Sequence, residues 1–554
     1  MKRFLISSIA LMAFAMSNQV LADAMQCQAL RSQASDKLEI KTAMYASTEQ
    51  VRTAYCQVQG VVNRRIGKDG TFYTTRFELR LPYGWQGRLA YQFDTAFGGE
   101  LAPAVGNITG LTVNQYAINQ GFAVVSSNEG HDNDAFKKAA GGLSKPFLFG
   151  RDATAREEFA YQAMANIMPI AQVLTEQYYG SPVQYRYGIG QANGGRTAMV
   201  AASRFPELFD GLLVASPGFN APKAALQHPW DYQALQSIQS DIRSSFSERD
   251  LEYITRRLIQ QCDDLDGVSD DLIFAIDACQ QRFKPTALVC KSEFDRDCLP
   301  IAKIGALVRM HQGPHNAKNQ ALYTSWPYDT GLQSNNWRGW KIASKLDAWQ
   351  HMPASVVIGA SALANLYSTP YQAVKGDIFS LTNFLQSFDF DRDAEKIFAT
   401  NGEFTESAVS LMTPPDAVKP TLTQFKQHGG KLIVFHGNSD PVFSVQDTVR
   451  WYDFLDFGLA GKAADFVRFY RVPGMPHQQG GLSADQFDML QPLVNWVEQQ
   501  RPPREVIAAT RANNPELTSR MVGLTRPLCP YPSYARYRQG DLHLASSFQC
   551  VVAK

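Results

Sequence analysis

The chain has 554 residues, with 53 basic and 52 acidic side chains, a formal net charge of +1 and 45% hydrophobic residues. A nearly neutral chain with no basic run argues against nucleic acid or an anionic membrane surface as its main partner. Its length and apolar content suffice for a large core and more than one folding unit.

Residues 1–22 open with Lys2 and Arg3, run apolar from Phe4 to Met16, and end in small residues around Val20-Leu21-Ala22. That is the pattern of a cleaved secretory signal peptide, too short and wrongly flanked to span a membrane. No later segment is apolar enough to span one. Cleavage would shift the formal charge to about −1 and predicts a secreted or periplasmic protein. In such a protein an even set of eight cysteines reads as disulfides. Spacing alone leaves their connectivity open, but clustering into local pairs favours Cys27–Cys56, Cys262–Cys279, Cys290–Cys298 and Cys529–Cys550. No Cys-x-x-Cys spacing supports a metal site instead.

Strand patterns follow at Phe72–Leu81, Arg88–Phe93 and Phe122–Ser127, and helical spacing of apolar residues runs from Arg156 to Tyr179. Next comes Tyr-Arg-Tyr-Gly-Ile-Gly-Gln-Ala-Asn-Gly-Gly-Arg over Tyr185–Arg196, a strand entering a glycine-rich turn, then a helix over Gly194–Arg204 and a buried strand over Gly211–Ser216. The turn has the form of a nucleophile elbow, Gly-x-Ser-x-Gly, in which a strained serine projects its hydroxyl over the sheet. Ala192 stands at the nucleophile position, and a methyl group attacks nothing.

Over residues 217–423 the alternation of strands and helices breaks. This stretch holds four of the eight cysteines and five of the eight tryptophans (Trp230, Trp326, Trp337, Trp340 and Trp349), and reads as an inserted lid domain. Strand patterns resume at Lys431–Gly437 and Phe466–Val472, followed by a helix over Ser483–Gln499 and a short cystine-tied tail. The pattern predicts an α/β fold, with 23–216 and 424–554 forming the body around a mostly parallel sheet covered by helices on both faces.

Two loops after the resumed strands carry Asp440 (His436-Gly-Asn-Ser-Asp-Pro) and His477 (Pro473-Gly-Met-Pro-His-Gln-Gln-Gly-Gly). The order nucleophile, acid, histidine is that of α/β-hydrolases. There the histidine takes the hydroxyl proton, and the acid fixes its tautomer and stabilises its charge. The chain resembles the tannase and feruloyl esterase family of α/β-hydrolases, which also contains mono(hydroxyethyl) terephthalate hydrolases. The likeness is carried by Phe122–His131, the elbow with Arg204–Gly211, Cys262–Asp270, Gly331–Trp340, the Asp440 and His477 loops, and Arg526–Pro532. It implies an α/β-hydrolase fold with a large inserted lid and carboxylic esters of aromatic, phenolic acids as ligands. It also implies a structural Ca²⁺ in the lid, held by Asp263, Asp266 and Asp270 with carbonyls of Val268 and Leu272. Hard oxygen ligands from a tight acidic loop suit that ion. Asp271 stands where the family usually has glycine.

Three departures converge on the site. Ala192 replaces the family's serine. Gln191 and Gln478 stand where the family commonly has a disulfide joining the two loops, and an amide–amide hydrogen bond is one substitute for that tether. Asp94, Thr95 and Ala96 fill the normally glycine-rich oxyanion loop, whose N–H groups, with that of Asn193, would face a developing oxyanion. Thr95, Ala96 and Asn193 are the candidate donors, and Asp94 threatens to place negative charge there. The leading expectation is an exported esterase-fold protein, impaired or inactive as a serine esterase, that binds a small aromatic ester or phenolic ligand. The alternatives are an active aromatic carboxylic-ester hydrolase in which Ala192 is an engineered or sequence-level change, and a non-catalytic surface interaction protein.

Overall fold

The structure, a computed structural model, describes residues 23–552 apart from 36, 293, 294 and 296. The expected signal peptide, 1–22, lies outside the described residues. Nine strands form the main sheet: β1 (Leu38–Thr48), β2 (Val51–Ile66), β3 (Phe72–Pro82), β4 (Arg88–Gln92), β5 (Phe122–Ser127), β6 (Tyr185–Gln191), β7 (Gly211–Ala215), β8 (Lys431–Gly437) and β9 (Val467–Val472). Their order is β1-β2-β3-β5-β4-β6-β7-β8-β9. From β5 to β9 every pairing is parallel, whereas β1, β2, β3 and β5 pair antiparallel. The sheet is therefore mixed, one third of it an antiparallel extension.

Strands β5 and β7 are buried along their whole length, as parallel strands covered on both faces must be. One face packs Met164, Ile167 and Leu174 of the helix Ala163–Tyr179, Met199 of Asn193–Arg204 and Trp451 of Val445–Gly458. The other packs Leu490, Leu493 and Val494 of Leu490–Gln499.

Two expected helices change. The run from Arg156 is a short helix Ala153–Glu157, a π-helical turn Glu158–Gln162, and then Ala163–Tyr179. The reason lies in the neighbouring helix: the buried Arg196 guanidinium takes the carbonyls of Phe159 (3.0 Å) and Ala160 (2.9 Å), groups in the widened turn. The helix expected from Ser483 begins only at Leu490. Gln486 instead pairs with Ala509 through two backbone hydrogen bonds, and Asp488 Oδ1 caps the N–H groups of Leu490 (2.8 Å) and Gln491 (3.0 Å).

Between β7 and β8 the chain builds a helical insertion with its own core, including Leu251, Ile254 and Leu258 of Glu248–Cys262 together with Leu307, Ile342 and Leu385. That helix starts in a capping box: Ser247 Oγ accepts from the Asp250 N–H, and Asp250 Oδ2 accepts from the Ser247 N–H. A second cluster, joining Phe149, Phe159 and Val200 to Leu363, Leu366 and Met412, fuses the insertion to the body. All four local disulfides form: Cys27–Cys56, Cys262–Cys279, Cys290–Cys298 and Cys529–Cys550. The last ties a tail of two small hairpins, β10 (Val506–Ala509) with β11 (Thr525–Leu528) and β12 (Ser533–Tyr537) with β13 (Phe548–Val552).

Candidate active site

At the C-terminal end of β6 the chain reverses sharply into Asn193–Arg204, and Ala192 takes φ 54°, ψ −116°. This lies outside the left-handed helical region that a side chain tolerates best, a conformation costing roughly 1–3 kcal/mol. Three backbone bonds hold it there. The Ala192 N–H donates to Ala215 O (2.9 Å), and its carbonyl accepts from Arg196 (3.0 Å) and Gly218 (3.2 Å). The turn is so tight that a Cβ on Gly190 would lie 2.4 Å from Gly194 O, and one on Gly194 2.6 Å from Asp94 O. The elbow thus keeps its strained backbone while presenting a methyl group, buried to 3% exposure.

Asn193 opens the helix, where its N–H has no intrahelical acceptor. Its side-chain Oδ1 accepts from Arg196 Nε (2.6 Å), and its Nδ2 is buried without a partner. Burial pushes the Arg196 guanidinium down to about 10. The loop expected to supply oxyanion donors folds back on its own aspartate. Asp94 does not extend toward the elbow: its Oδ2 accepts from the N–H groups of Ala96 (2.8 Å) and Gly98 (2.9 Å). Burial raises the Asp94 carboxyl, and those hydrogen bonds, with a lesser one from Thr95, work against the rise. Ala96 therefore spends its N–H on Asp94 and is withdrawn as an oxyanion donor.

Beneath this loop sit Glu129 and His131, missed as site residues by the sequence reading although they lie in the quoted stretch Phe122–His131. A Cβ on Gly98 would come within 2.8 Å of both side chains. Burial, then the nearby Asp94 charge, pushes Glu129 up to about 8, and burial lowers His131 to about 3. Both Glu129 oxygens and His131 Nε2 lack partners. Glu-Gly-His after a buried strand was the available signal.

The acid–histidine side is complete. His477 Nδ1 donates to Asp440 Oδ2 at 2.8 Å, while Asp440 Oδ1 accepts from the N–H groups of Val442 (2.8 Å) and Phe443 (3.1 Å). His436 Nε2 lies 3.3 Å from Asp440 Oδ2. Burial alone would raise the Asp440 carboxyl; the charge on His477 and hydrogen bonds from His436 and His477 outweigh it and hold it well below the usual carboxylate range. The insertion braces this pair. Trp326 Nε1 donates to Asp440 O (3.0 Å), and Asn336 Nδ2 to His477 O (3.1 Å). Asp329 Oδ2 accepts from both Ser439 Oγ (2.8 Å) and the Gly474 N–H (2.7 Å), stitching the acid loop to the histidine loop. Trp340 and Phe443 stand edge-on to the His477 ring at 5.8 and 5.7 Å. Phe443 also packs where a Cβ on Gly218 would fall, so it lies between the elbow and the histidine. Trp337, by contrast, is buried in the insertion core. Gln191 makes no bridge to Gln478: its Oε1 accepts from the Thr109 N–H and hydroxyl, both at 2.9 Å.

A family model, Tannase and feruloyl esterase, covers residues 56–551. The chain belongs to the tannase and feruloyl esterase family. It is similar to a mono(2-hydroxyethyl) terephthalate hydrolase from Piscinibacter sakaiensis, at 33% identity over 90% of this chain and 84% of that one. A probable feruloyl esterase from Arthroderma benhamiae matches at 27% identity over 85% and 81%. Among solved structures, feruloyl esterase B from Aspergillus oryzae superposes with a TM-score of 0.73 at 20% identity, covering 96% of this chain and all of that one. The tannin acyl hydrolase of Aspergillus niger does so at 0.64 and 19%, covering 94% and 91%. The fold is the α/β-hydrolase fold of these enzymes.

The acidic loop after Cys262 lies in the insertion. Asp263 Oδ2 accepts from the Asp271 N–H (3.0 Å), and Asp266 Oδ2 from the Phe274 N–H (2.9 Å). The Oδ1 atom of each is buried with no partner. Burial, reinforced by neighbouring carboxylates, pushes Asp263 up to about 7 and Asp266 to about 8. Asp270 is instead held by the buried Arg526, whose Nε lies 3.0 Å from Oδ2, and accepts the Leu272 N–H at Oδ1 (3.1 Å). Asp271 has φ 70°, a backbone region that glycine adopts freely and that aspartate is among the residues to tolerate. Among the described residues no three His, Cys, Asp or Glu groups are drawn together closely enough to close around an ion. The two uncompensated buried oxygens nonetheless fit a hard cation.

Proposed function

We propose that this chain is an exported esterase-fold protein that binds a small ester or acid of the aromatic, phenolic class and has lost ordinary serine-esterase turnover. The observation that carries the reading is Ala192 on a fully formed, strained elbow opposite an intact Asp440–His477 pair. The histidine has its acid, and the acid its hydrogen bonds, but nothing at residue 192 can be deprotonated. The N–H groups of Asn193 and Thr95 are the remaining candidate oxyanion donors, and the insertion acts as the lid whose Trp340 walls the site with Phe443. The printed names of the relatives, a terephthalate monoester hydrolase and feruloyl esterases, support the ligand class. Export is supported by four disulfides, and no helix among the described residues is long and apolar enough to cross a membrane. In the lid, Asp263 and Asp266 would hold Ca²⁺ through their unpartnered Oδ1 atoms with the carbonyls of Val268 and Leu272, while the expected ligand Asp270 stays paired with Arg526. The ion would neutralise two buried carboxylates and take no part in the ester chemistry.

The test is calorimetric titration of methyl ferulate into the parent protein, followed by chromatography of the mixture. Saturable binding with the ester recovered intact is expected. Stoichiometric release of ferulate would overturn the loss of turnover, and absence of any binding would overturn the ligand class. A second reading, an aromatic ester hydrolase whose Ala192 is a single engineered or sequence-level change, is favoured by the strain itself. The φ 54° backbone at residue 192 costs stability and serves a nucleophile.

A further inference from the structure

The loop over residues 94–99 rests on a buried carboxyl that neither the elbow nor the acid–histidine pair uses. Gly98 takes φ 70°, and a Cβ there would fall 2.8 Å from both Glu129 Cβ and His131 Cε1, so the loop backbone lies directly on these side chains. Glu129 occupies the turn after β5, with φ 56° and 1% exposure. Both its carboxyl oxygens are buried and lack a hydrogen-bond partner. The other side of the loop touches the elbow, where a Cβ on Gly194 would lie 2.6 Å from Asp94 O. A shift of the loop is therefore felt beside Ala192.

The groups around Glu129 leave an ionised carboxylate there poorly compensated. The loop contributes Asp94, whose carboxylate is closed on the N–H groups of Ala96 and Gly98. The π turn contributes Glu158, which accepts from Asn63 and Thr75. Arg196 is the nearby cation, but its three nitrogens donate to Asn193, Ala160, Phe159 and Thr197. His131 stacks on Phe149 with ring centroids 3.7 Å apart, and burial keeps it neutral by lowering it to about 3. Arg76, which faces His131, is paired with Asp132 (3.2 Å). Tyr91 of β4 shares a hydrogen bond with Ser127 Oγ (2.8 Å), and burial raises its phenol. Burial, then the Asp94 charge, pushes Glu129 up to about 8 against the Arg196 charge and the nearby Asp94 N–H. Two carboxyls in one buried site resist ionising together.

We propose that Glu129 is a positioning residue of the oxyanion loop that works through its proton: neutral, it lets the Asp94 clamp close over it, and ionised, it repels Asp94 and loosens residues 94–98 beside the elbow. The loop stays anchored in both states by Phe97, whose ring meets Phe147 edge-on at 4.7 Å. The folded value of Glu129 lies above the roughly 4.3 of an unfolded glutamate. Its support of the closed loop is therefore full below about pH 4 and is lost as the pH rises through about 8. The latch regulates the site proposed above, and only its consequence for the ligand rests on that reading.

The test is amide hydrogen exchange of the full chain, read by mass spectrometry between about pH 7 and 9 and corrected for intrinsic exchange rates. Excess Ca²⁺ is present so that Asp263 and Asp266 add no titration of their own. No ester is added, so failure of the latch and failure of ligand binding are told apart. Peptides over 93–99 should lose about tenfold in protection across that range, the factor set by one group titrating near 8, while peptides over 185–191 hold theirs. Glu129→Gln, the neutral mimic, should stay protected throughout; a merely structural role would lower protection equally at every pH. Asp94→Asn removes the charge that ionised Glu129 meets and should shrink the fall, a check that stands even if Glu129→Gln does not fold. No fall in the parent, an equal fall over 185–191, or the parent's full fall persisting in either variant would each overturn the proposal.

Discussion

The two halves of the candidate site have fared differently. On the acid–histidine side every polar atom of Asp440 is used and His477 is aligned by it. The insertion reaches in through Trp326, Asp329 and Asn336 to hold both loops. On the elbow side the backbone is equally well held, yet the reactive group is a methyl and the oxyanion loop spends its Ala96 and Gly98 N–H groups on Asp94. The comparison separates two things that a hydrolase normally combines. Backbone strain at this elbow is maintained by neighbouring strands and glycines, and it persists with a methyl group as the central side chain. Chemical competence depends on that side chain and on where nearby N–H groups point.

Predictions follow from trying to erase or widen this difference. The largest effect is expected from giving the elbow its hydroxyl back. Ala192→Ser should raise hydrolysis of an aryl ester by about 10³-fold or more, the scale on which triad members act, read as initial rates at matched protein concentration. In that background Asp440→Asn should return most of the gain, because the wrong tautomer of His477 is then favoured. Asp94→Gly in the same background should release the loop and raise the rate by about tenfold, well within what one oxyanion donor contributes. A fall instead would show that Asp94 holds the loop in its productive shape.

The acidic loop supplies a pH test. Asp263 and Asp266 have folded values raised to about 7 and 8, above the roughly 3.9 of an unfolded aspartate. Their contribution to stability is full below about pH 4 and is lost as the pH rises through 7 to 8. Protein treated with chelator should therefore melt progressively lower between pH 5 and 8, and added Ca²⁺ should recover most at the alkaline end. A melting temperature indifferent to Ca²⁺ at pH 8 would remove the ion from the account. Asp440 acts in the opposite sense: its lowered value stabilises the fold above about pH 4, and that stability is lost only in stronger acid. The smallest effect is at the elbow itself. Ala192→Gly should stabilise the protein by about 1 kcal/mol, since glycine adopts φ 54° without the Cβ penalty, measurable by urea unfolding.

Much of this was legible in the chain. Strands β3 to β9, the elbow, both loops and the four cysteine pairs announce themselves through apolar runs ending in glycine-rich turns, where sequence and backbone speak the same language. The long hairpin β1–β2 does not, because its outer strand is half exposed and lacks a clean apolar period. The π turn near Phe159 was invisible because its cause, Arg196, sits one helix away. The fate of Asp94 depended on which N–H groups its carboxylate would choose, and Gln191 bonds Thr109 rather than Gln478 for the same kind of reason. Periodicity reports burial; it does not report hydrogen-bond partners.

The most direct measurement is the steady-state rate of the parent protein beside Ala192→Ser on methyl ferulate and an aryl ester, with a fluorophosphonate label read by intact mass. The account predicts that the revertant hydrolyses ester and gains one label while the parent does neither. Equal turnover by the parent would contradict it, since the chemistry would then run without a group at residue 192.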